Sequence, residues 1–119
     1  MTTLEIATRL VELCRLGEYE TAQKELYADD ATSTEFSPQT QQLETAVGLE
    51  AIIAKGAHFR ELIEEVHSSA VSQPVVAGDY FSVAALLDVT LKGMGRIPMN
   101  EIALYKVKDD KVVSEQFFY

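Results

Sequence analysis

The sequence YFSVAALLDVTLK, from Tyr80 to Lys92, decides the fold class because its residues alternate between two kinds of side chain. Every second residue from Phe81 to Leu91 is apolar, whereas the residues between them are of mixed polarity. Successive residues of a strand point to opposite faces of a sheet, so this alternation predicts a strand with one face against a core.

Short turns before and after this stretch, and a third turn further along the chain, predict three more strands. Ala77-Gly78-Asp79, Gly93-Met94-Gly95 and Asp109-Asp110 are turn-forming sequences. Turns this short connect antiparallel neighbours, because a parallel connection needs a dozen or more residues. The second half of the chain is therefore predicted to be an antiparallel sheet with strands at Val66 to Val76, Tyr80 to Lys92, Arg96 to Lys108 and Lys111 to Tyr119.

The first half of the chain carries apolar residues at helical spacing. The pattern predicts helices from Leu4 to Leu16, from Glu18 to Asp30 and from Gly48 to Val66. In the third helix Ile52 and Phe59 mark the apolar face, and Lys55 is assigned to the polar face.

The segment between the second and third helices predicts one strand and one loop. Ala31 to Phe36 has the threonine content of a strand, and this strand carries Glu35. Ser37 and Pro38 end it, and Gln39 to Thr45 is predicted to be a polar loop. The expected fold class is α+β, with three helices packed on a curved, mostly antiparallel sheet that encloses a pocket.

Composition sets the limits on function. The 119 residues suit one domain, 1–119, and 47% are hydrophobic, which is enough for a packed core. The net charge of -9 disfavours nucleic acid and anionic membranes as partners. Cys14 is the single cysteine, and no apolar run approaches the roughly 18 residues of a membrane span. We therefore expect a cytoplasmic protein without a disulfide.

Several landmarks together resemble the nuclear transport factor 2-like superfamily. They include Tyr27-Ala28-Asp29-Asp30-Ala31-Thr32 followed by Glu35, the glycine Gly48 that opens the third helix, and the hairpin Asp109 to Val113. The ending Ser114 to Tyr119 looks most like the SnoaL-like branch, which is named after polyketide cyclases. The resemblance spans the whole chain and implies a cone-shaped fold around a small-molecule pocket.

The resemblance also implies candidate chemistry. Members of this superfamily include isomerases, cyclases and dehydratases that need no cofactor, and noncatalytic binding modules. Ketosteroid isomerases have a catalytic aspartate at the place that Glu35 fills here, whereas their oxyanion-hole tyrosine corresponds to Leu10. Their second oxyanion donor falls near Ala103. The expected function is cofactor-free acid–base chemistry on an apolar compound with a carbonyl or hydroxyl group; the alternative is a noncatalytic ligand-binding or dimeric assembly module.

Glu35 and Glu101 are the candidate catalytic residues. A carboxyl on an inward strand face loses solvation, which suits it to exchange a proton near neutral pH. Asn100 and Glu101 are adjacent on a strand, so only one of them faces the pocket, and the sequence leaves this choice open. Asp88 is a weaker candidate, because pairing with Lys106 would explain it equally well.

Histidines and aromatic residues complete the candidate site. His58 and His67 lack the i,i+4 spacing of paired helical metal ligands, so no metal site is predicted. Phe117 and Tyr119 share one strand face opposite Phe118, so the chain ending is predicted to serve both the pocket and a homodimer interface on the sheet. The predicted ligand-contacting residues are Phe36, His58, Phe59, Asp88, Asn100, Phe117 and Tyr119.

Overall fold

The computed structural model describes residues 1–119 and begins with helix α1, Thr3–Arg15. A capping box starts this helix: the Glu5 backbone N–H donates to Thr2 Oγ1 at 3.1 Å, and the Thr2 N–H donates to Glu5 Oε1 at 2.9 Å. Gly17 follows the helix with a φ of +76°, a conformation that favours glycine. Helix α2 is Tyr19–Leu26, and helix α3 is Leu49–Leu62.

Seven strands follow or alternate with these helices: β1 Tyr27–Ser37, β2 Gln42–Val47, β3 Ile63–Val71, β4 Val75–Ala77, β5 Tyr80–Leu91, β6 Gly95–Lys108 and β7 Lys111–Phe118. They form one curved sheet in the order β2-β1-β7-β6-β5-β3, with β4 paired to β5. Every neighbouring pair is antiparallel except β1 and β7, which are parallel. The first strand therefore lies beside the last one.

The core lies between the helices and the concave face of this sheet. Ile6 and Leu10 of α1 and Ile52 of α3 are almost completely buried against it. On the sheet side, the rings of Phe81 and Tyr105 stack with their centroids 4.7 Å apart. The predicted alternation in β5 is confirmed, because the buried residues of this strand are Phe81, Val83, Val89 and Leu91. The α+β class and the helix-covered, mostly antiparallel sheet are confirmed as well.

Several element boundaries differ from the predictions. Helix α2 ends at Leu26 instead of Asp30, because Tyr27 begins strand β1. The predicted loop Gln39 to Thr45 contains most of strand β2, which pairs with β1 and brings the hydroxyls of Thr34 and Thr45 to 2.9 Å. Backbone pairing in a hairpin stabilises this polar sequence as a strand. Helix α3 ends at Leu62 because Ile63 begins the pairing of β3 with Leu91 of β5.

The predicted strand Val66 to Val76 is split into β3 and β4. The two strands are separated by Ser72, Gln73 and Pro74, and proline has no N–H to donate to a ladder. No helix of this structure has the length and apolar character needed to cross a membrane.

Candidate functional site

Three carboxyl side chains converge on the concave face because their strands are neighbours. Ser33 of β1 pairs directly with Glu115 of β7, and Glu115 pairs with Tyr105 of β6. Paired residues share a face, and so do residues two apart on one strand. This parity brings Glu35, Glu101 and Glu115 to the same face as the buried Tyr105. We call these three residues and Lys55 the carboxylate cluster.

Lys55 is the cation of the carboxylate cluster, and it reaches the sheet from helix α3. Its Nζ donates to Ser33 Oγ at 2.8 Å and lies 3.3 Å from Glu35 Oε1. The same ammonium lies 5.8 Å from the centre of the Phe117 ring. The side chains of Lys55 and Glu35 are 35% and 31% exposed, so the pair is partly shielded from water.

Both carboxylate oxygens of Glu35 have partners. Oε1 faces Lys55, and Oε2 accepts a hydrogen bond of 2.6 Å from the Tyr119 hydroxyl. Burial and the adjacent Glu35 carboxylate raise the pKa of the Tyr119 phenol, so that phenol stays protonated as a donor. Glu35 therefore holds an ammonium and a phenol at the edge of the cluster.

Glu101 is the carboxyl of the cluster whose protonation changes near neutral pH. Burial raises the pKa of Glu101 to about 7, with further contributions from Glu35 and Glu115, and Lys55 opposes the shift. Its side chain makes none of the hydrogen bonds that engage Glu35 and Glu115. At neutral pH this carboxyl can both accept and release a proton.

Glu115 lies deeper and is only 4% exposed. Its Oε2 accepts a hydrogen bond from the hydroxyl of the buried Tyr27. Burial raises the pKa of Glu115, and the hydrogen bonds from Tyr27 and Ser33 oppose that shift. Burial and the Glu115 carboxylate together raise the pKa of the Tyr27 phenol well above its ordinary value.

Four of the residues proposed from the sequence meet at this face: Glu35, Glu101, Phe117 and Tyr119. The choice between Asn100 and Glu101 is resolved in favour of Glu101, since Asn100 lies exposed on the opposite face of β6. Phe59 is partly buried on α3, one turn beyond Lys55.

Three other proposed residues lie away from the cluster. Phe36 follows Glu35 on β1 and faces outward, 43% exposed. His58 is exposed on α3. Asp88 faces away from the core and accepts two hydrogen bonds from Arg96, at 3.1 and 2.9 Å. Its partner is therefore Arg96, whereas Lys106 pairs with Tyr80 in the β5–β6 ladder.

Sequence reasoning missed Lys55, Ser33, Tyr27 and Glu115. Lys55 had been assigned to the polar face of its helix, although it follows Ile52 by three positions and precedes Phe59 by four. That spacing places it on the same helix face as these two apolar residues. Glu115 could have been found by parity, because it lies two positions before Phe117 on the same strand.

Two surface grooves run beside α1, away from the carboxylate cluster. One is lined by Arg15 and by Ser69 to Val71, and the other includes Arg15, Gln73 and Pro74. The Arg15 guanidinium itself donates to the Val71 carbonyl oxygen, at 2.9 and 3.2 Å. A ligand pocket inside the sheet stays a prediction from the sequence.

Comparison with known proteins adds family information to this geometry. Residues 1–119 match the family model described as the SnoaL-like domain. The crystal structure of a protein from Mesorhizobium loti, named as a candidate SnoaL-like polyketide cyclase, has 37% sequence identity and a TM-score of 0.89, and the match covers 100% of both chains. Comparison with curated proteins gave no match.

Two further solved structures have the same fold. A hypothetical protein from Catenulispora acidiphila, with a ketosteroid isomerase-like fold and bound trimethylamine, has 25% identity and a TM-score of 0.74, covering 99% of this chain and 87% of that one. An NTF2-like protein of unknown function from Burkholderia pseudomallei has 16% identity and a TM-score of 0.77, covering 100% and 92%.

Proposed function

The chain belongs to the SnoaL-like domain family, and on that premise we propose that its concave face performs cofactor-free acid–base chemistry. The substrate would be a small, mostly apolar molecule with a carbonyl or hydroxyl group. One observation carries the proposal: Glu101, which lacks the partners that engage the other two carboxyls, shares a face with Lys55, whose ammonium has a third N–H beyond those facing Ser33 and Glu35. The named relatives, a candidate polyketide cyclase and a protein with a ketosteroid isomerase-like fold, agree with this class of chemistry.

In this proposal Glu101 is the group that carries the proton. Its carboxylate removes a proton from the carbon next to a carbonyl, and the electrons of the C–H bond form a C=C bond while the carbonyl oxygen becomes negative. In a substrate with a C=C bond next to that carbon, the protonated Glu101 returns the proton to the far carbon of that bond while the C=O bond re-forms, which gives isomerisation. If the enolate carbon attacks a second carbonyl of the same molecule instead, a C–C bond forms, the π electrons of that carbonyl move to its oxygen, and this oxygen takes the proton from Glu101 to give a cyclised alcohol.

Lys55 supplies the hydrogen-bond donor that stabilises the negative oxygen. An ammonium has three N–H donors, and Ser33 and Glu35 engage two of those of Lys55, which leaves the third for the substrate. A donor fixed in a partly buried site stabilises developing charge more than the same group does in water. Glu35, which the sequence suggested as the base, is assigned here to holding Lys55 in place, with the Tyr119 hydroxyl donating to its other oxygen.

Hydrogen exchange provides a test that needs no knowledge of the natural substrate. The purified protein is incubated in D2O with a panel of apolar cyclic ketones, and NMR follows the loss of the hydrogens next to the carbonyl. We expect exchange above the buffer rate for the wild type and buffer-rate exchange for Glu101→Gln. Glu64→Gln, a change at an exposed glutamate of β3, is the matched control and should behave as wild type.

Absence of catalysed exchange across the panel would overturn the proposed function. Full exchange by Glu101→Gln would overturn the role of Glu101.

We also propose that two copies of the chain associate through the outer face of β5, β6 and β7. This face is apolar and exposed, and its paired strands place Ile102 directly beside Phe118. A contiguous apolar patch on a soluble protein marks an interaction site. The large apolar residues are Leu86, Ile102, Leu104 and Phe118, which are 49%, 48%, 37% and 49% exposed.

Charge favours a second copy as the occupant of this face. A chain with a net charge of -9 repels another copy of itself through most of its surface. The residues interspersed among the four apolar ones, such as Asn100 and Gln116, are uncharged. Asp88, farther along β5, is neutralised by Arg96. Contact through this face therefore brings two copies together without opposing carboxylates.

A further inference from the structure

Beneath Lys55, a buried serine connects the ammonium to the deepest carboxyl of the site. Ser33 is 0% exposed, and its Oγ accepts the 2.8 Å hydrogen bond from Lys55 Nζ. Glu115 is its direct partner in the parallel β1–β7 pairing and is 4% exposed. Tyr27 donates to Glu115 from the other side. Two hydrogen bonds, Tyr27 to Glu115 and Lys55 to Ser33, are thus brought side by side by the β1–β7 pairing.

The chemistry of these groups fixes the direction of the hydrogen bonds. A lysine ammonium has donors only, so the Ser33 oxygen must accept from it. The single hydroxyl hydrogen of Ser33 is then available to the neighbouring Glu115 carboxylate, an acceptor. Ser33 therefore presents the lone pairs of its oxygen to Lys55 and its hydrogen towards Glu115.

We propose that Ser33, packed beside Glu115, is the positioning residue that holds the Lys55 ammonium beside Glu35. The inference rests on the proposed function for its catalytic meaning, since Lys55 is a donor to substrate only in that proposal. Neither Ser33 nor Glu115 need touch the substrate. Their burial makes the placement of Lys55 rigid, because a buried carboxylate without its hydrogen bonds is costly.

If Ser33 served only to stabilise the fold, replacing it would leave the pKa of Glu101 unchanged. The charged groups that act on Glu101 come from three elements: Lys55 from α3, Glu35 from β1 and Glu115 from β7. The nearby phenols of Tyr105 and Tyr119 are neutral, because burial raises the pKa of both and Glu101 adds to the shift. Lys55 lowers the pKa of Glu101, whereas Glu115 raises it. Displacing Lys55 and neutralising Glu115 must therefore move the titration of Glu101 in opposite directions.

The test is an NMR titration of the Glu101 side-chain carboxyl in the full chain, labelled with carbon-13. In Ser33→Ala the ammonium loses its anchor, and we expect the Glu101 midpoint to rise by roughly half a pH unit or more. In Glu115→Gln, a change that preserves shape, we expect it to fall. Glu64→Gln removes one exposed negative charge and should leave the midpoint unchanged.

Lys55→Met is the reference variant. Because the Lys55 side chain is 35% exposed, this change tests the effect of the ammonium even if the variants at the buried Ser33 and Glu115 fail to fold. It should raise the Glu101 midpoint, and adding Ser33→Ala to it should cause no further shift, because Ser33 acts through Lys55. An additional shift of similar size in the double variant would overturn the proposal, as would an unchanged midpoint in Ser33→Ala. The Glu101 midpoints are measured without any substrate. Absence of ketone exchange would therefore overturn the proposed function but would not affect the conclusion about Ser33 and Lys55.

Discussion

Lys55 Nζ and Glu35 Oε1 lie 3.3 Å apart and join helix α3 to strand β1 across the concave face of the sheet. This lysine is the cation that Glu35, Glu101 and Glu115 share. Glu35 also has Tyr119, and Glu115 has Tyr27, as hydrogen-bond donors. Glu101 has neither, and burial raises its pKa to about 7, so its carboxyl is about half protonated at neutral pH.

Folding stability should depend on pH through Glu101. Its pKa is about 7 in the folded chain and near 4.5 without the fold, so the folded state binds the proton more tightly. The stabilising contribution is complete below the unfolded pKa and is lost as the pH rises through 7. Glu101→Gln should therefore match the wild type near pH 4.5 and exceed its stability near pH 8 by at most about 3 kcal/mol. Urea unfolding at the two pH values measures this, and an equal difference at both would contradict it.

Ketone exchange by the wild type should increase as the pH rises through about 7, because the ionised form of Glu101 is the base. The rate above buffer, measured by NMR in D2O at a series of pH values, should level off once Glu101 is ionised. A catalysed rate that is constant across this range would show that a different group removes the proton.

Tyr119→Phe should weaken the site without unfolding it. The variant loses the 2.6 Å hydrogen bond to Glu35, the carboxylate that holds Lys55. We expect a loss of about 1 kcal/mol in the free energy of unfolding and a fall of about 10-fold in catalysed exchange. Tyr80→Phe, which removes a phenol on the outer face, is the control. Equal exchange rates for the two variants would show that the Tyr119 hydroxyl does not help Glu35 to hold Lys55.

Ile102→Lys should convert the proposed dimer into a monomer. The lysine would place a charge at the centre of the outer apolar face, where Ile102 is 48% exposed and leaves room for it. Sedimentation equilibrium at micromolar concentration should give a dimer for the wild type and a monomer for the variant. Leu16→Lys, at an exposed leucine that ends helix α1 on the other side of the sheet, should remain dimeric. A monomeric wild type would refute the interface.

Cys14 should be unreactive while the chain is folded. Burial raises the pKa of its thiol to about 11, and the charge of Glu115 adds to the shift. Because the thiolate is the reactive form, a disulfide reagent should modify Cys14 slowly at neutral pH and quickly in denaturant. Fast modification of the native protein would contradict this raised pKa and the partly buried position of the thiol.

The order of elements could be predicted from the sequence because periodicity reports which side chains are buried. Strands β5, β6 and β7 and helix α1 follow their apolar patterns closely, and the glycine turns set their limits. Strand β2 could not be predicted in this way. Its sequence QLETAV is largely exposed, and pairing with β1 specifies it more than burial does.

Site residues could be predicted from the sequence only where the alternation of faces along a strand was sufficient to identify them. Glu35 and Glu101 were identified as carboxyls, and the buried alternation of Ala103 and Tyr105 fixes which way Glu101 faces. Lys55 was wrongly assigned to the polar face of its helix because a charged residue on a helix usually points to solvent. Its partner Ser33 lies on a strand separated from it by β2 and the start of α3, a contact that local sequence does not encode.

The parallel pairing of β1 with β7 has a consequence for the order of folding during synthesis. Ser33 and Glu115 are neighbours in the sheet, yet most of the chain is made between them. On the ribosome, β1 and its hairpin partner β2 emerge early, with one edge of β1 unpaired until β7 has been translated. Contacts between segments so far apart in sequence form slowly, because the loop must close before they are gained. Chains halted before β7 would expose an unpaired strand edge, which invites aggregation.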